Sequence, residues 1–380
     1  MMKTRREFIR NCGIIAGGTG FSYSGLSKIN WSGDVSSAGE KPILKLRFRP
    51  YELHLKHVFT LATSSRTSTP DMLTEIQFGD ITGYGEASMP PYLGESIETA
   101  TAYLSKVDLT RFESPFLVED IIQYLESIAP GNYAAKASVD IAIHDLIGKL
   151  MKQPWYRIWG LDPAKTPNIS YTIGIDKPDV VRQKVREAAP YKILKVKLGQ
   201  DNDKEMISTV RSMTDKPICV DVNQGWTEKK KALQMALWLR DQGVVFIEQP
   251  MPKTKPEDIA WLTKNSPLPV MADEAFQTLD DFKKIQGIYS GVNIKLMKCG
   301  GMNAAYKMVS VARALGMKVM IGCMTETSCA VTAAAQLSPL VDWADLDGNL
   351  LIDNDLYDGL KIVDGKIVLP ERPGIGIIKS

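Results

Sequence analysis

Histidine is nearly absent from this chain: three in 380 residues, at positions 54, 57 and 144. None falls in the part of the sequence with the most regular strand pattern, so a histidine base or a histidine-rich metal site finds no support. Cysteine is sparse too, and Cys12, Cys219, Cys299, Cys323 and Cys329 follow neither zinc-ligand nor disulfide-framework spacing. Four of the five lie in or beside candidate strands, where a small thiol is ordinary filling. An excess of one charge is also missing, since 46 Lys and Arg face 44 Asp and Glu. Residues 1–40 hold five of the basic and three of the acidic residues, so the remainder carries 41 of each sign. That balance excludes the concentrated basic face that nucleic-acid binding requires. What is present, 44% apolar and 24% charged residues, is ordinary for a soluble globular protein. The length fits one large barrel with a smaller domain, or two medium domains.

The first forty residues read as an address. Thr4-Arg5-Arg6-Glu7-Phe8-Ile9-Arg10 resembles the twin-arginine export signal, with paired arginines, apolar residues and a third basic residue in place. A short apolar, glycine-rich stretch (12–21) and a Ser/Gly-rich segment follow. The stretch is too short to span a bilayer, so no stable membrane insertion is expected. The resemblance implies an exported, periplasmic protein; a disordered basic tail on a cytoplasmic protein is the alternative.

The body divides by pattern. Residues 43–51 and 73–78 read as strands, with the polar stretch 63–69 between them as a loop carrying Arg66. Gly79-Asp80 reads as a hairpin turn into 82–86. In 137–151, Val139, Ile143, Ile147, Leu150 and Met151 fall on one helical face. Residues 41–165 therefore form an α+β domain. From 166 to 348 strand and helix alternate, with strand candidates at 169–175, 193–198, 218–222, 244–248, 269–273, 292–296, 318–322 and 341–346. Segments such as 229–241 and 302–315 read as helical crossovers. Eight such strands make a parallel (β/α) barrel. Residues 349–380 read as a turn-rich return packing on the first domain.

Three of these runs end in acid: Asp221, Glu248 and Asp273. A barrel gathers its strand ends at one mouth. Carboxylates converging there repel unless a cation neutralises them, and an all-oxygen set favours Mg²⁺ over Zn²⁺. Separate helix caps are the plain alternative. Lys195 and Lys197 lie two apart on one strand and so share a face. Lys295, on the sixth strand, faces the acids from the other side. Burial and nearby cations are expected to lower the lysine pKa values toward the range of a general base; surface charges at strand ends are the plain alternative, and Lys298 reads as one. Two bases flanking one carboxylate-bearing carbon fit proton removal on one face and return on the other.

Lys195-x-Lys197, Asp221-Val222-Asn223, Glu248-Gln249-Pro250, Asp273-Glu274 and Asn293-Ile294-Lys295, in that order, resemble the enolase superfamily, muconate-lactonizing subgroup, from about residue 43 onward. The resemblance implies a modified TIM barrel, (β/α)7β, with an N-terminal α+β capping domain, and Mg²⁺ on Asp221, Glu248 and Asp273. It implies Lys197 and Lys295 as acid/base catalysts and Lys195 near the substrate carboxylate. Strand seven, Lys318 to Cys323, lacks the histidine of a mandelate-racemase-like site. Asp345 and Asp347 at strand eight resemble the Asp-x-Asp by which dipeptide epimerases hold a substrate ammonium group. Cys323, Met324, Glu326 and Thr172 match positions near the substrate, though Thr172 also suits barrel filling. Arg66 resembles the arginine of members acting on L-Ala-D/L-Glu, where a guanidinium pairs with a carboxylate; a solvated arginine is the alternative. His144 reads as a packing residue. The expected function is dipeptide epimerisation, most simply of a murein-derived L-Ala-D/L-Glu, with a small-molecule substrate and room for a homo-oligomer. Other dipeptides, muconate cycloisomerisation and o-succinylbenzoate synthesis remain alternatives, as does an inactive secreted binding protein.

Overall fold

The computed structural model describes residues 42–60 and 65–380. Three antiparallel strands open the chain: β1 (Lys45–Thr60), β2 (Ser65–Phe78) and β3 (Ile81–Ser88), in the order β1-β2-β3. The first two run longer than the sequence suggested. Most of the expected 63–69 loop is strand, and Arg66 sits in β2 rather than in a loop. Its Ser/Thr residues are extended because they pair with β1, from Leu53↔Thr69 and His54↔Ser68 outward; cross-strand pairing overrides their turn preference.

The helix α1 (Tyr133–Met151) packs against this sheet. Its residues from Ala134 to Gly148 are all buried, so the single apolar face of the sequence pattern understates its position. Two buried acids on its other faces accept from backbone of distant elements. Asp140 caps the helix α2 (Met302–Ala314) through the Met302 amide, and Asp145 accepts from Tyr84 N at 3.0 Å and Ile375 N at 3.0 Å. His144 is a packing residue: Nδ1 meets Asp140 O at 2.7 Å and its ring lies edge-on to Trp155.

The eight barrel strands lie where the alternation placed them. They are β4 (Ser170–Ile173), β5 (Ile193–Lys197), β6 (Ile218–Asp221), β7 (Val244–Glu248), β8 (Val270–Ala272), β9 (Gly291–Lys295), β10 (Lys318–Gly322) and β11 (Trp343–Asp345). All pair in parallel in chain order, and a bridge between Ile169 and Ala344 brings the last back to the first. Side chains two apart share a face, so the interior fills in layers. Cys219, Phe246, Met271 and Met320 form an apolar plug, with the Phe246 and Trp343 rings 4.6 Å apart. Two residues on from the first three lie acids, Asp221, Glu248 and Asp273, and two on from Met320 lies Gly322.

Beyond the barrel the chain returns to the capping sheet. Ile352 bridges Leu55, Asp353 N donates to His54 O at 3.1 Å, and Lys379 pairs with Glu75 at 2.6 Å. Cys219, Cys299, Cys323 and Cys329 are free thiols.

At Gly83 and Gly85 the backbone of β3 lies directly on that of α1. A Cβ on Gly85 would lie 1.9 Å from Ser138 O, and one on Gly83 would lie 2.1 Å from Ala142 O. Both obstacles are helix backbone, so neither side can yield locally. Gly85→Ala should therefore cost about 1–3 kcal/mol or more, as overpacking does, read as a lower urea midpoint. An unchanged midpoint would show that α1 slides freely on the sheet.

Candidate active site

The mouth of the barrel opens into a cavity under β2. Arg66 and Tyr92 reach it from the capping domain, Thr172, Lys195, Lys197, Lys295 and Asp345 from the strands, and Asp273, Cys323 and Asp347 from the turns that follow β8, β10 and β11. Asp221 and Glu248 lie just beneath, fully buried. Oxygens of Asp221, Glu248 and Asp273 come within 4.8 Å of one another, a spacing that can hold a metal ion. All the candidate residues of the sequence thus meet in one place. Lys197 on β5 and Lys295 on β9 stand four strands apart in a barrel of eight, so they face each other across it.

Each acid of the triad uses its two oxygens differently. Asp221 Oδ1 accepts from Asn223 N at 3.0 Å, Glu248 Oε1 from Asn293 Nδ2 at 2.7 Å, and Asp273 Oδ1 from Lys298 Nζ at 2.5 Å. The second oxygens face the lysines. Asp221 Oδ2 lies 2.7 Å from Lys197 and 3.1 Å from Lys195, Glu248 Oε2 lies 2.8 Å from Lys195, and Asp273 Oδ2 lies 2.9 Å from Lys295. Glu248 Oε2 is buried without a well-formed hydrogen bond despite its nearby lysine. Three single oxygens aimed at one point, one of them unsatisfied, fit a hard divalent cation.

Lys298 corrects the sequence reading. It is 2% exposed, and its ammonium also donates to Asp273 O at 2.9 Å and Asn293 O at 3.0 Å. The helical turn Leu296–Cys299 after β9 returns it beneath the strand end, three residues past Lys295, which spacing alone did not disclose. Burial outweighs Asp273 at Lys298 and lowers its pKa. Burial also opposes the charges of Lys195 and Lys295, yet Asp345, Glu248 and Asp221 around the first, and Asp273 beside the second, hold both well above the ordinary range. Burial, reinforced by Asp221, pushes Glu248 up to about 7, whereas Lys197 and Lys195 overcome burial to hold Asp221 at about 2.

The second acidic pair is split in the same way. Asp345 accepts from Ser170 Oγ at 2.7 Å and pairs with Lys195 at 2.6 Å. Asp347 accepts from Thr172 N at 2.8 Å, and burial with the adjacent Asp345 raises it to about 6. Asp347 is therefore the acid of this pair with the greater need of a cation. Cys323 Sγ accepts from Gly348 N at 3.3 Å, and burial pushes its thiol well up, which suits wall and not nucleophile. Met324 lines the cavity, and Glu326 accepts its backbone N–H at 2.8 Å. Arg66 donates to Thr69 Oγ1 at 3.1 Å and Thr325 Oγ1 at 3.2 Å, so it spans both domains.

Tyr92 had no sequence signal as a site residue, and Gln249 stood only inside the motif that follows Glu248. Tyr92 comes from a short turn after β3, and Gln249 knits two strand ends by accepting from Asp273 N at 3.0 Å and Ala275 N at 3.1 Å. Glu274, which receives Asn223 Nδ2 at 3.1 Å, was visible only as the neighbour of Asp273. Burial and the nearby Asp273 raise it to about 8.

Comparison with known proteins bears on this geometry. Residues 179–378 match the family described as "Enolase C-terminal domain-like", and residues 47–160 match "Mandelate racemase / muconate lactonizing enzyme, N-terminal domain". The chain is 55% identical over 386 residues, covering all of both sequences, to an L-Ala-D/L-Glu epimerase of Bacteroides thetaiotaomicron. Its fold is similar, at a TM-score of 0.83 and 26% identity over 89% of this chain and 99% of the other, to a substrate-liganded L-Ala-D/L-Glu epimerase from Bacillus subtilis. It is also similar, at a TM-score of 0.81 and 30% identity over 88% and 99%, to an Enterococcus faecalis dipeptide epimerase complexed with Mg and L-Leu-L-Tyr.

Proposed function

The chain belongs to the enolase superfamily and is an isomerase of the dipeptide epimerase kind; on that premise we propose that it epimerises L-Ala-D/L-Glu, a dipeptide of the sort that murein breakdown releases, using Lys197 and Lys295 as its two bases. The observation that carries the reading is one cavity lined by two opposed lysines, an Asp-x-Asp and an arginine. Asp345 and Asp347 receive the α-ammonium group of the first residue, and Arg66 receives the side-chain carboxylate of the second. With both ends fixed, the α-carbon of the second residue lies between Lys197 and Lys295. One lysine, neutral, takes the α-proton; the other, as ammonium, delivers a proton to the opposite face, and their roles exchange in the reverse direction. Lys195, enclosed by Asp345, Glu248 and Asp221, serves as their counter-ion and orients them. Asp221, Glu248 and Asp273 would hold Mg²⁺, which when bound supplies positive charge to the substrate carboxylate as the α-proton leaves.

The relatives support the dipeptide assignment, and the arginine supports glutamate in particular. A dipeptide with an apolar or aromatic second residue would bring no carboxylate to the Arg66 guanidinium that lines the cavity. Export is a further part of the proposal. It rests on the twin-arginine-like run from Thr4 to Arg10, in a segment outside the described residues, and no helix among the described residues is long and apolar enough to cross a membrane.

Incubation of L-Ala-L-Glu in D₂O with Mg²⁺ should place deuterium on the glutamyl α-carbon and yield the D-epimer, and excess chelator should stop both. Lys197→Ala and Lys295→Ala should each reduce epimerisation by about 10²–10⁴-fold, the usual worth of a general base, while exchange of opposite epimers survives in the two variants. Exchange of the same epimer in both would refute the two-face assignment.

Arg66→Ala should weaken L-Ala-L-Glu by about 2–5 kcal/mol, the cost of stripping one partner from a shielded charge pair, and so lower kcat/KM at least about thirtyfold. L-Ala-L-Ala should change little. Equal losses for both dipeptides would make Arg66 a strut between domains and not a reader of the side chain.

Replacing Arg5 and Arg6 together by Lys should leave the full-length protein in the cytoplasm on cell fractionation. An unchanged distribution would remove the export proposal.

A further inference from the structure

The way the triad's oxygens are divided carries more than the capacity to hold a cation. Every acid has one oxygen held from behind, by Asn223 N, Asn293 Nδ2 or Lys298 Nζ, and the other turned to the cavity lysines Lys195, Lys197 and Lys295. For Asp221 the donor is backbone, the Asn223 amide, set by a turn in which Asn223 and Gln224 take positive φ values of 44° and 70°. For Glu248 it is the Asn293 side-chain amide at 2.7 Å, and for Asp273 it is the Lys298 ammonium at 2.5 Å. These last two donors are linked. An ammonium has three N–H groups, and Lys298 spends one on Asp273 Oδ1, one on Asp273 O and one on Asn293 O. It thereby fixes the strand position from which Asn293 reaches Glu248. Asn293 is pinned from the other side as well, since a Cβ on Gly322 would fall 2.5 Å from its Oδ1. Both clamps are fully or nearly fully buried, so water cannot take their place.

A carboxylate with one oxygen held back can offer an ion only the other. Mg²⁺ accepts that: it takes six oxygens in tight octahedral order, each from a separate group or water. Ca²⁺ takes six to eight, at longer distances, and commonly fills its shell with both oxygens of a carboxylate. We propose that Lys298 and Asn293 are positioning residues that make this site prefer Mg²⁺ over Ca²⁺, by denying the ion the second oxygen of Asp273 and of Glu248. The inference rests on the reading of the triad as a metal site and adds to it which residues outside the triad choose the metal.

Geometry and charge predict different outcomes when Lys298 is replaced. Removing a positive charge beside the triad strengthens binding of every divalent ion alike and leaves their ratio unchanged. Releasing Asp273 Oδ1 allows two-oxygen contact, which favours Ca²⁺ selectively. Asn293→Leu releases Glu248 Oε1 with no change of charge.

The test measures affinity and not turnover. Mn²⁺ is bound to wild type, Lys298→Met and Asn293→Leu, and the free-ion EPR signal follows its displacement by Mg²⁺ and by Ca²⁺. Wild type should release Mn²⁺ at lower Mg²⁺ than Ca²⁺. In each variant the Mg²⁺-to-Ca²⁺ affinity ratio should fall by about tenfold or more, in the range that partners of metal ligands contribute. Asn293→Leu alone decides the question if Lys298→Met does not fold. A ratio equal to that of wild type, with Mn²⁺ still bound, overturns the clamp and leaves the metal site standing. Failure of wild type to bind Mn²⁺ overturns the metal reading and this inference with it.

Discussion

Charge buried at the mouth of the barrel is the constraint on which the rest of the structure depends. Asp221 and Glu248 are 0% exposed and Asp273 is 2% exposed. A lone carboxylate in such a place would be expelled or protonated. Here Lys195, Lys197, Lys295 and Lys298 sit among Asp221, Glu248, Asp273 and Asp345, so each charge has an opposite within hydrogen-bonding reach. The partners come from β5, β6, β7, β9, β11 and the turns after β8 and β9. No two neighbouring strands could make the set, and only closure of the whole barrel assembles it. The apolar plug of Cys219, Phe246, Met271 and Met320 then serves as its floor, keeping water from entering below.

The capping domain closes the site from above by a seam that is itself built on buried acid. Glu86 on β3 accepts from Thr327 N at 2.6 Å, from Ala330 N at 3.1 Å and from the Thr327 hydroxyl, which places it at the start of the helix α3 (Ser328–Ala335). A carboxylate at a helix N-terminus answers both its orphan amides and its dipole. Ser88 adds a bond to Thr325 O at 2.5 Å. The segment between Cys323 and Thr327, which forms one wall of the cavity, is therefore shaped by the capping sheet as much as by β10. The two domains share that wall, and Arg66 crosses the same seam to Thr325.

How much of this could be read beforehand depended on what kind of pattern encoded it. The strand ends were legible because a period of two and a charge terminating an apolar run are local features, and eight of them in series admit one closed architecture. The triad, the Lys195-x-Lys197 pair and Asp345-x-Asp347 all belong to that class. What was misread depended on neighbours far along the chain. Ser65 to Thr69 looked like a loop because its strand character comes from pairing with β1. The helix α1 looked one-sided because Asp140 and Asp145, which break its apolar pattern, are spent on the backbone of Met302 and Ile375, about 160 and 230 residues away. Lys298 looked like a surface charge because its only distinguishing feature is the turn that folds it under Asp273.

The strand assignment has a stereochemical consequence that the substrate contacts do not share. Residues two apart on a strand point the same way, so Lys195 and Lys197 approach from one side however the substrate lies. A base on β4 or β6 would approach from nearly that side too, and a proton taken and returned there would leave the configuration unchanged. Lys295 differs because β9 is half the barrel away from β5. On the mechanism proposed, inversion at the α-carbon is a property of which strands carry the lysines, and so of the barrel. On the same proposal substrate choice lies elsewhere, in Arg66 on a capping strand and in Asp347 on the turn after β11, which the Thr172 amide of β4 holds at 2.8 Å. Of the two, Arg66 is the one that stands apart from the barrel strands. A change at Arg66 need not disturb the paired charges beneath it, because its bonds run to Thr69 and Thr325 and to neither the triad nor the lysines among those the structure specifies.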